Sequence, residues 1–290
     1  MLRTTVLAGL VGLIGLASST LAQTASAPSS QATTSQPVLS TRPGGTQSAT
    51  TAPIESRVHT VLQQLERRGE SVKDLKAKIE WQVLDRIIDD KQTKSGELLF
   101  QRAKPHDKFL IRFTRTVVED QVIEKPEEHL FDGQWYTEKR EATKTVTKRE
   151  IVRPGEEFDP FKLGQGPFPL PFGQKEAEIM DKFDVSYVEP AKDDPANTSH
   201  LKLVPKASAQ EMAEKYKELH FFVDKKLDLP VKVVADQKDD KLVTVVFGDI
   251  RVNTAIPGSA FEIQVPDDPT WSVTTESLGS ENPQGQGGED

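Results

Sequence analysis

Five histidines are the first residues to test for chemistry: His59, His106, His129, His200 and His220. None of them shares a helical turn with another across an intervening glutamate, so the two-histidine pattern of zinc proteases is missing. With no cysteine in the chain, thiolate metal sites and disulfides drop out as well. The doubled acids Glu127-Glu128, Asp193-Asp194, Asp239-Asp240 and Asp267-Asp268 have the residue types of an acid and base pair. Each lies in a polar stretch of the kind hairpins use, and turn chemistry is the expected role. The sequence holds no G-x-S-x-G elbow, phosphate-binding loop or dinucleotide fingerprint. These residues predict a protein that is not an enzyme, with no metal and no cofactor.

The remaining chemistry is apolar. The stretch "GQGPFPLPFGQ", Gly164 to Gln174, alternates prolines with Phe168, Leu170 and Phe172. Proline lacks the donor a central strand needs, and it drives the preceding residue towards extended geometry, so the segment is a stiff loop. Its prolines are two apart, which does not suit a P-x-x-P ligand. Together with Phe161 and the helix-like "QKEAEIMDKF", the loop is shaped either to lie across an apolar opening or to plug the end of a closed core.

The elements that must position these side chains follow from periodicity. Ile54, Val58, Val61, Leu62 and Leu65 repeat at helical spacing from Pro53 until Gly69. The period then changes to two: Leu75, Ala77, Ile79, Trp81 and Val83 alternate with Lys76, Lys78, Glu80 and Gln82, as one half-buried strand requires. Further strands are expected at "GELLFQRA", "KFLIRFTRTV", "EEHLFDG", "QWYTEKRE" and "TKTVTKREIV", with Asp132-Gly133 as a hairpin turn. After the proline stretch come "KFDVSYVEP", "HLKLVPK", "ELHFFVDKK", "PVKVVADQ", "KLVTVVFGDIRVN" and "AFEIQVP". A short helix at "SAQEMAEKYK" has Ser208 and Glu211 at capping-box spacing. The expected fold is α+β and mainly β: a large curved antiparallel sheet of ten or eleven strands packed on helices.

Outside this body the composition changes. "MLRTTVLAGLVGLIGLASSTLAQ" has a basic residue, a short apolar run and small residues before Gln23, which predicts an export signal at 1–22 cleaved near Ala22. Residues 23–52 are rich in Ser, Thr, Gln and Pro and predict a disordered linker. The folded domain is expected at 53–271 and a disordered tail at 272–290. A net charge of -8 over 290 residues argues against nucleic acid, and "KREATKTVTKRE", Lys139 to Glu150, reads as a solvated strand face. A soluble, exported and unanchored protein is the expectation, as a monomer.

The order of elements resembles the periplasmic outer-membrane lipoprotein carrier family, LolA. The motifs that carry the resemblance are the strand "KDLKAKIEWQV", then "GELLFQRAKPHDKFLIRF", "HLFDGQWYTEKREATKTVTKREI", "GPFPLPFG" and "LHFFVDKKLDLPVKVVADQKDDKLVTVVFGDIRVN". The resemblance spans most of Val58 to Asp268 and implies a half-open barrel whose mouth is covered by a helical lid. By residue type alone, Ile79, Trp81, Val83, Phe100, Phe109, Phe113, Phe131 and Trp135 read as core; under the resemblance they would line a cavity for acyl chains. Phe161, Phe168, Leu170, Phe172, Ile179 and Met180 would form the lid. In that family an arginine before a proline locks the lid. Here Lys104 stands before Pro105, with Arg102 nearby, and these two are the candidate lock. An ammonium lacks the planar fork of a guanidinium. The implied function is a lipoprotein or lipid carrier, working between an inner-membrane donor complex and an outer-membrane acceptor. The alternative is a lipoprotein-sensing regulatory domain of the same fold.

Overall fold

The computed structural model describes residues 54–278, apart from 105, 120, 154 and 157–171. The predicted export signal and linker therefore lie outside the described residues, as do Phe161, Phe168 and Leu170. Everything described belongs to one unit, Thr50–Asp290.

The periodic segment 54–69 forms helix α1, Ile54–Ser71, with Glu55 in its first turn and Arg68 in its last, matching the helix dipole. Among the described residues thirteen strands follow in one sheet. The first half contributes β1 (Asp74–Asp85), β2 (Asp90–Gln101), β3 (Lys108–Val118), β4 (Gln121–Ile123), β5 (Glu127–Phe131), β6 (Trp135–Arg140) and β7 (Thr145–Glu150). After helix α2 (Glu176–Lys182) come β8 (Phe183–Val188) and β9 (Thr198–Pro205). Helix α3 (Gln210–Lys215) leads to β10 (Tyr216–Asp224), β11 (Leu229–Gln237), β12 (Lys241–Val252) and β13 (Ser272–Glu276). Among the described residues no helix is long and apolar enough to cross a membrane.

The strand order is β13-β7-β6-β5-β3-β2-β1-β12-β11-β10-β9-β8, with β4 added on β3. The sheet is curved and does not close, because β13 and β8 stand at opposite ends of the order. Every pairing is antiparallel except β13 on β7. At the centre β1 pairs with β2 and with β12, so Leu75 stands between Phe100 and Val252. The period-two expectation holds in the first half of β1, where Ala77 and Ile79 are buried while Lys78 and Glu80 are exposed; from Trp81 to Asp85 every residue is half-buried. Between β2 and β3 the register slips at Ser95/Gly96. There the β3 backbone comes so near that a Cβ on Gly96 would lie 1.8 Å from the Arg112 carbonyl oxygen.

One face of the sheet carries the main core. Val58, Val61 and Leu62 of α1 pack on Ala77 and Ile79, Leu98 and Phe100, Ile111 and Phe113, Leu201 and Leu203, Phe221, Val233, Val245 and Phe247. The opposite face has a smaller cluster of Leu99, Leu110, Leu130 and Phe261.

Several expectations are corrected. "AFEIQVP" is no strand: residues 256–263 run as an irregular strap over the smaller cluster. Gln101 Nε2 donates to the Ile256 carbonyl at 2.9 Å and Arg112 Nη2 to the Glu262 carbonyl at 2.9 Å, so side chains take the place of a ladder. The tail does not begin at 272, since β13 pairs parallel with β7 from Ser272↔Thr145 to Glu276↔Arg149. Glu127 and Glu128 lie inside β5 and not in a turn. The capping box at Ser208 is not formed; Ala209 occupies the N-cap position of α3, with no side-chain cap.

Candidate functional site

The floor of the candidate site is set by alternation. Ile79, Phe100, Phe109, Phe113 and Phe131 come from four strands, yet all belong to one buried cluster on the helix-covered face. The Phe109 and Phe131 ring centroids are 6.0 Å apart. Trp81 and Val83 are partly buried against the same cluster, in the second half of β1. Trp135 is the exception. The turn at Asp132, whose Oδ1 accepts the backbone N–H of Gln134 and Trp135 at 3.0 and 2.9 Å, sets the parity of β6. Tyr136 therefore packs on the main cluster, opposite Phe131, and Trp135 points to the other face under the Lys148 ammonium at 4.7 Å. Phe247, Leu98, Ile111, Leu201, Leu203 and Phe221 complete the floor, and the same alternation marks them in their own strands.

The cover consists of α1, α2 and the chain entering α2. Phe172 is buried, its ring edge-on to Phe247 with centroids 5.1 Å apart. Ile179 is buried in the same cluster, and Met180 is partly buried against it. Gly173 has φ +79, and a Cβ on Gly69 would come within 2.7 Å of Gly173 Cα, so the end of α1 and the entry to α2 touch backbone to backbone. Polar contacts hold α2 in place. Glu66 Oε2 of α1 accepts the Glu176 N–H at 3.0 Å, one of the donors a helix start leaves without an internal partner. His59 Nδ1 meets Glu176 Oε1 at 2.5 Å, and Lys206 Nζ donates to the Met180 carbonyl at 2.5 Å.

Of the two lock candidates, Arg102 makes the contacts. Its Nη2 donates to the Gly69 carbonyl at 3.0 Å and its Nε to the Val72 carbonyl at 3.2 Å, fastening the end of α1. Asp107 lies 3.5 Å from Nη1. Lys104 is exposed. The planar fork of guanidinium serves two carbonyls at once, which an ammonium in the neighbouring position does less well.

Periodicity gave no hint of a polar network beside Phe113. His129 Nε2 lies 2.9 Å from Glu127 Oε1, and its Nδ1 lies 2.7 Å from the Tyr136 hydroxyl. Lys94 Nζ donates to Glu127 Oε2 at 2.6 Å, and Arg140 Nε to Glu138 Oε1 at 2.6 Å. Glu127, His129 and Glu138 are close enough to hold a metal ion, their nearest ligand atoms falling within 4.8 Å of one another. Both carboxylates already face cations, however, and both nitrogens of His129 are engaged, so the group as it stands is an ion-paired network. Burial pushes the Glu127 carboxyl up, but hydrogen bonds from His129 and Lys94 outweigh it and hold the group at about 2, against an ordinary 4.5. A depressed carboxylate stabilises the fold above its unfolded value and ceases to do so as pH falls through the folded one. Allowing for the water that reaches the site, about 2 kcal/mol should be lost between pH 4.5 and 2. Denaturant unfolding of Glu127→Gln across that range should show a flatter acid limb; parallel limbs would remove Glu127 from the account.

No family model matches the chain, and no curated protein matches it. Among solved structures it is similar to a DUF1329 family protein from Desulfovibrio piger, at 13% identity and a TM-score of 0.38, over 73% of this chain and 98% of the other. It is also similar to an uncharacterized conserved protein from Thermus thermophilus, at 8% identity and a TM-score of 0.45, over 76% and 99%. A third is a putative outer membrane lipoprotein-sorting protein domain from Vibrio parahaemolyticus, at 14% identity and a TM-score of 0.36, over 70% and 95%. The fold given above rests on the strand pairing itself.

Proposed function

We propose that the protein is a soluble, exported carrier, not an enzyme, that receives the acyl chains of lipoproteins or of another lipid between its curved sheet and its helical cover, and moves them towards the outer membrane. One observation supports this above others. The helix-covered face carries one large apolar cluster, bordered by the polar network around His129, and its cover is fastened at identifiable points, His59 with Glu176, Glu66 with Glu176, and Arg102 with the end of α1. In water-exposed surroundings each such polar contact is worth about 1 kcal/mol, and burial of Phe172 and Ile179 adds about 1.5 to 3 kcal/mol each, so α2 and the chain entering it are the light part of the cover. Each methylene taken from water is worth about 0.8 kcal/mol, so roughly ten acyl carbons would offset the opening of α2.

Because the chain has no cysteine, the cover can be locked at one place only. A His59→Cys, Glu176→Cys variant joined by a short thiol-reactive bridge should lose most uptake of an acyl-chain probe. The unbridged variant should take up the probe normally. Mass spectrometry of the purified parent should find bound lipid. Equal uptake by bridged and unbridged forms would rule out entry beneath α2, and a parent that binds no lipid or lipid analogue would rule out the carrier reading.

A further inference from the structure

A cavity of about 360 Å³ opens between the first half of α1, β8 and the turn joining β10 to β11. Its lining joins apolar side chains with Thr60, Gln64 and Ser199. Val61 and Val223 both belong to the main buried cluster, and the Tyr187 ring is packed against that cluster, so the cavity floor is continuous with the helix-covered face. Its rim is charged and balanced: Arg57 and Lys225 carry two positive charges, Asp224 and Asp228 two negative ones.

The cation side is the better built. The Arg57 guanidinium lies 4.3 Å over the Tyr187 ring, which fixes its plane. Its Nη1 reaches Glu189 at 2.7 Å, but the Glu189 side chain is 72% exposed and holds it weakly. Arg57 Nε is buried and has no hydrogen-bond partner. A buried donor left unmade is costly, and a ligand oxygen would satisfy it. A flat guanidinium whose carboxylate partner is so exposed is suited to exchange it for two oxygens of one phosphate. On the anion side, Asp224 Oδ1 is turned towards the backbone N–H of Lys226 and Leu227 at 2.8 and 2.9 Å, while Asp228 stands in the left-handed region at φ 52.

We propose that this cavity reads the head of a zwitterionic amphiphile. The phosphate lies against Arg57 and Lys225, the ammonium lies towards Asp228 and Asp224, and the acyl chain runs over Val61 and Val223 into the main cluster. The inference rests on the carrier reading and adds a head-group class to it. The apolar floor alone would accept any chain; the charged rim discriminates between heads.

The test uses the full chain and three single-chain lipids of one acyl length, with phosphoethanolamine, phosphoglycerol and uncharged glycerol heads. Binding is read by displacement of an apolar fluorescent probe. The phosphoethanolamine lipid should bind roughly tenfold more tightly than the glycerol lipid, and Arg57→Gln should erase most of that margin. Asp228→Asn, which keeps a residue that tolerates the left-handed turn, should narrow the gap between phosphoethanolamine and phosphoglycerol heads. If all three lipids bind the parent alike, the head-group inference is overturned and the carrier reading stands. If none of the three binds, the carrier reading fails and takes the inference with it.

Discussion

Gly96→Ala should lower the melting temperature by roughly 10 °C or more, a loss of about 4 kcal/mol. The added Cβ would meet the Arg112 carbonyl oxygen at 1.8 Å, the Arg112 carbonyl carbon at 2.7 Å and Phe113 Cα at 2.8 Å. All three are backbone atoms, so no flexible side chain can swing aside. Relief requires β2 and β3 to separate at the register slip. The strain would spread to Ile111 and Phe113, both fully buried on the helix-covered face. Against a total stability of about 5 to 15 kcal/mol, such a loss is severe. Thermal unfolding followed by circular dichroism decides it; an alanine variant melting within about 2 °C of the parent would show that the strands part easily there.

The second large effect separates core from cavity. Leu62 is 0% exposed, at the middle of the contact between α1 and the sheet. Leu62→Ala should cost about 2 to 5 kcal/mol, through lost transfer energy and the void left behind. A void lined by aliphatic and aromatic side chains stays dry and accepts apolar molecules. Ligand that binds only the folded form returns stability by mass action. The variant should therefore melt lower than the parent in buffer, yet gain more from an acyl-chain ligand than the parent does. A variant that melts lower and gains no more than the parent would mark Leu62 as ordinary core and weaken the case for cargo beneath α1.

The parts of this fold that sequence foreshadowed are those where one face is buried. Along β1 from Leu75 to Val83, each inward residue is apolar and each outward one polar, so register and face are both written in that alternation. The Asp132-Gly133 turn is equally plain, because only a left-handed residue closes it and Gly133 has φ 110. Strand β13 left no such trace. All its residues are exposed, and it is held by edge pairing and by polar ties such as Arg149 with Glu276 at 2.7 Å. Composition sees only a polar tail there. The strap at 256–263 misled for the opposite reason: Phe261 and Ile263 are apolar and alternate, but their partners are side chains crossing from β2 and β3. Trp135 shows the limit of residue type. Two aromatics stand side by side after the turn, and only the parity set by Asp132 tells which one faces inward. The network around His129 needed three strands to be brought together, since Lys94, Glu127 and Glu138 are far apart in the chain.

The placement of β1 between β2 and β12 also sets a clock. Strands β2 to β7 pair with close neighbours in the chain, and so do β8 to β12, so two separate meanders can assemble early. The seam that joins them waits for residues 241–252, and its fastening at Asp74, which accepts N–H bonds from Thr254 and Ala255 at 2.8 and 3.1 Å, comes later still. Contacts so distant in the chain make folding slow. Until they form, β1 and β11 each present an open edge able to pair with another molecule. A chain emerging N-terminus first spends most of its emergence in that state, and one cut short before Lys241 never leaves it. Such fragments should be found in aggregates, and the intact protein should need protection during synthesis that it no longer needs once β12 has closed the seam.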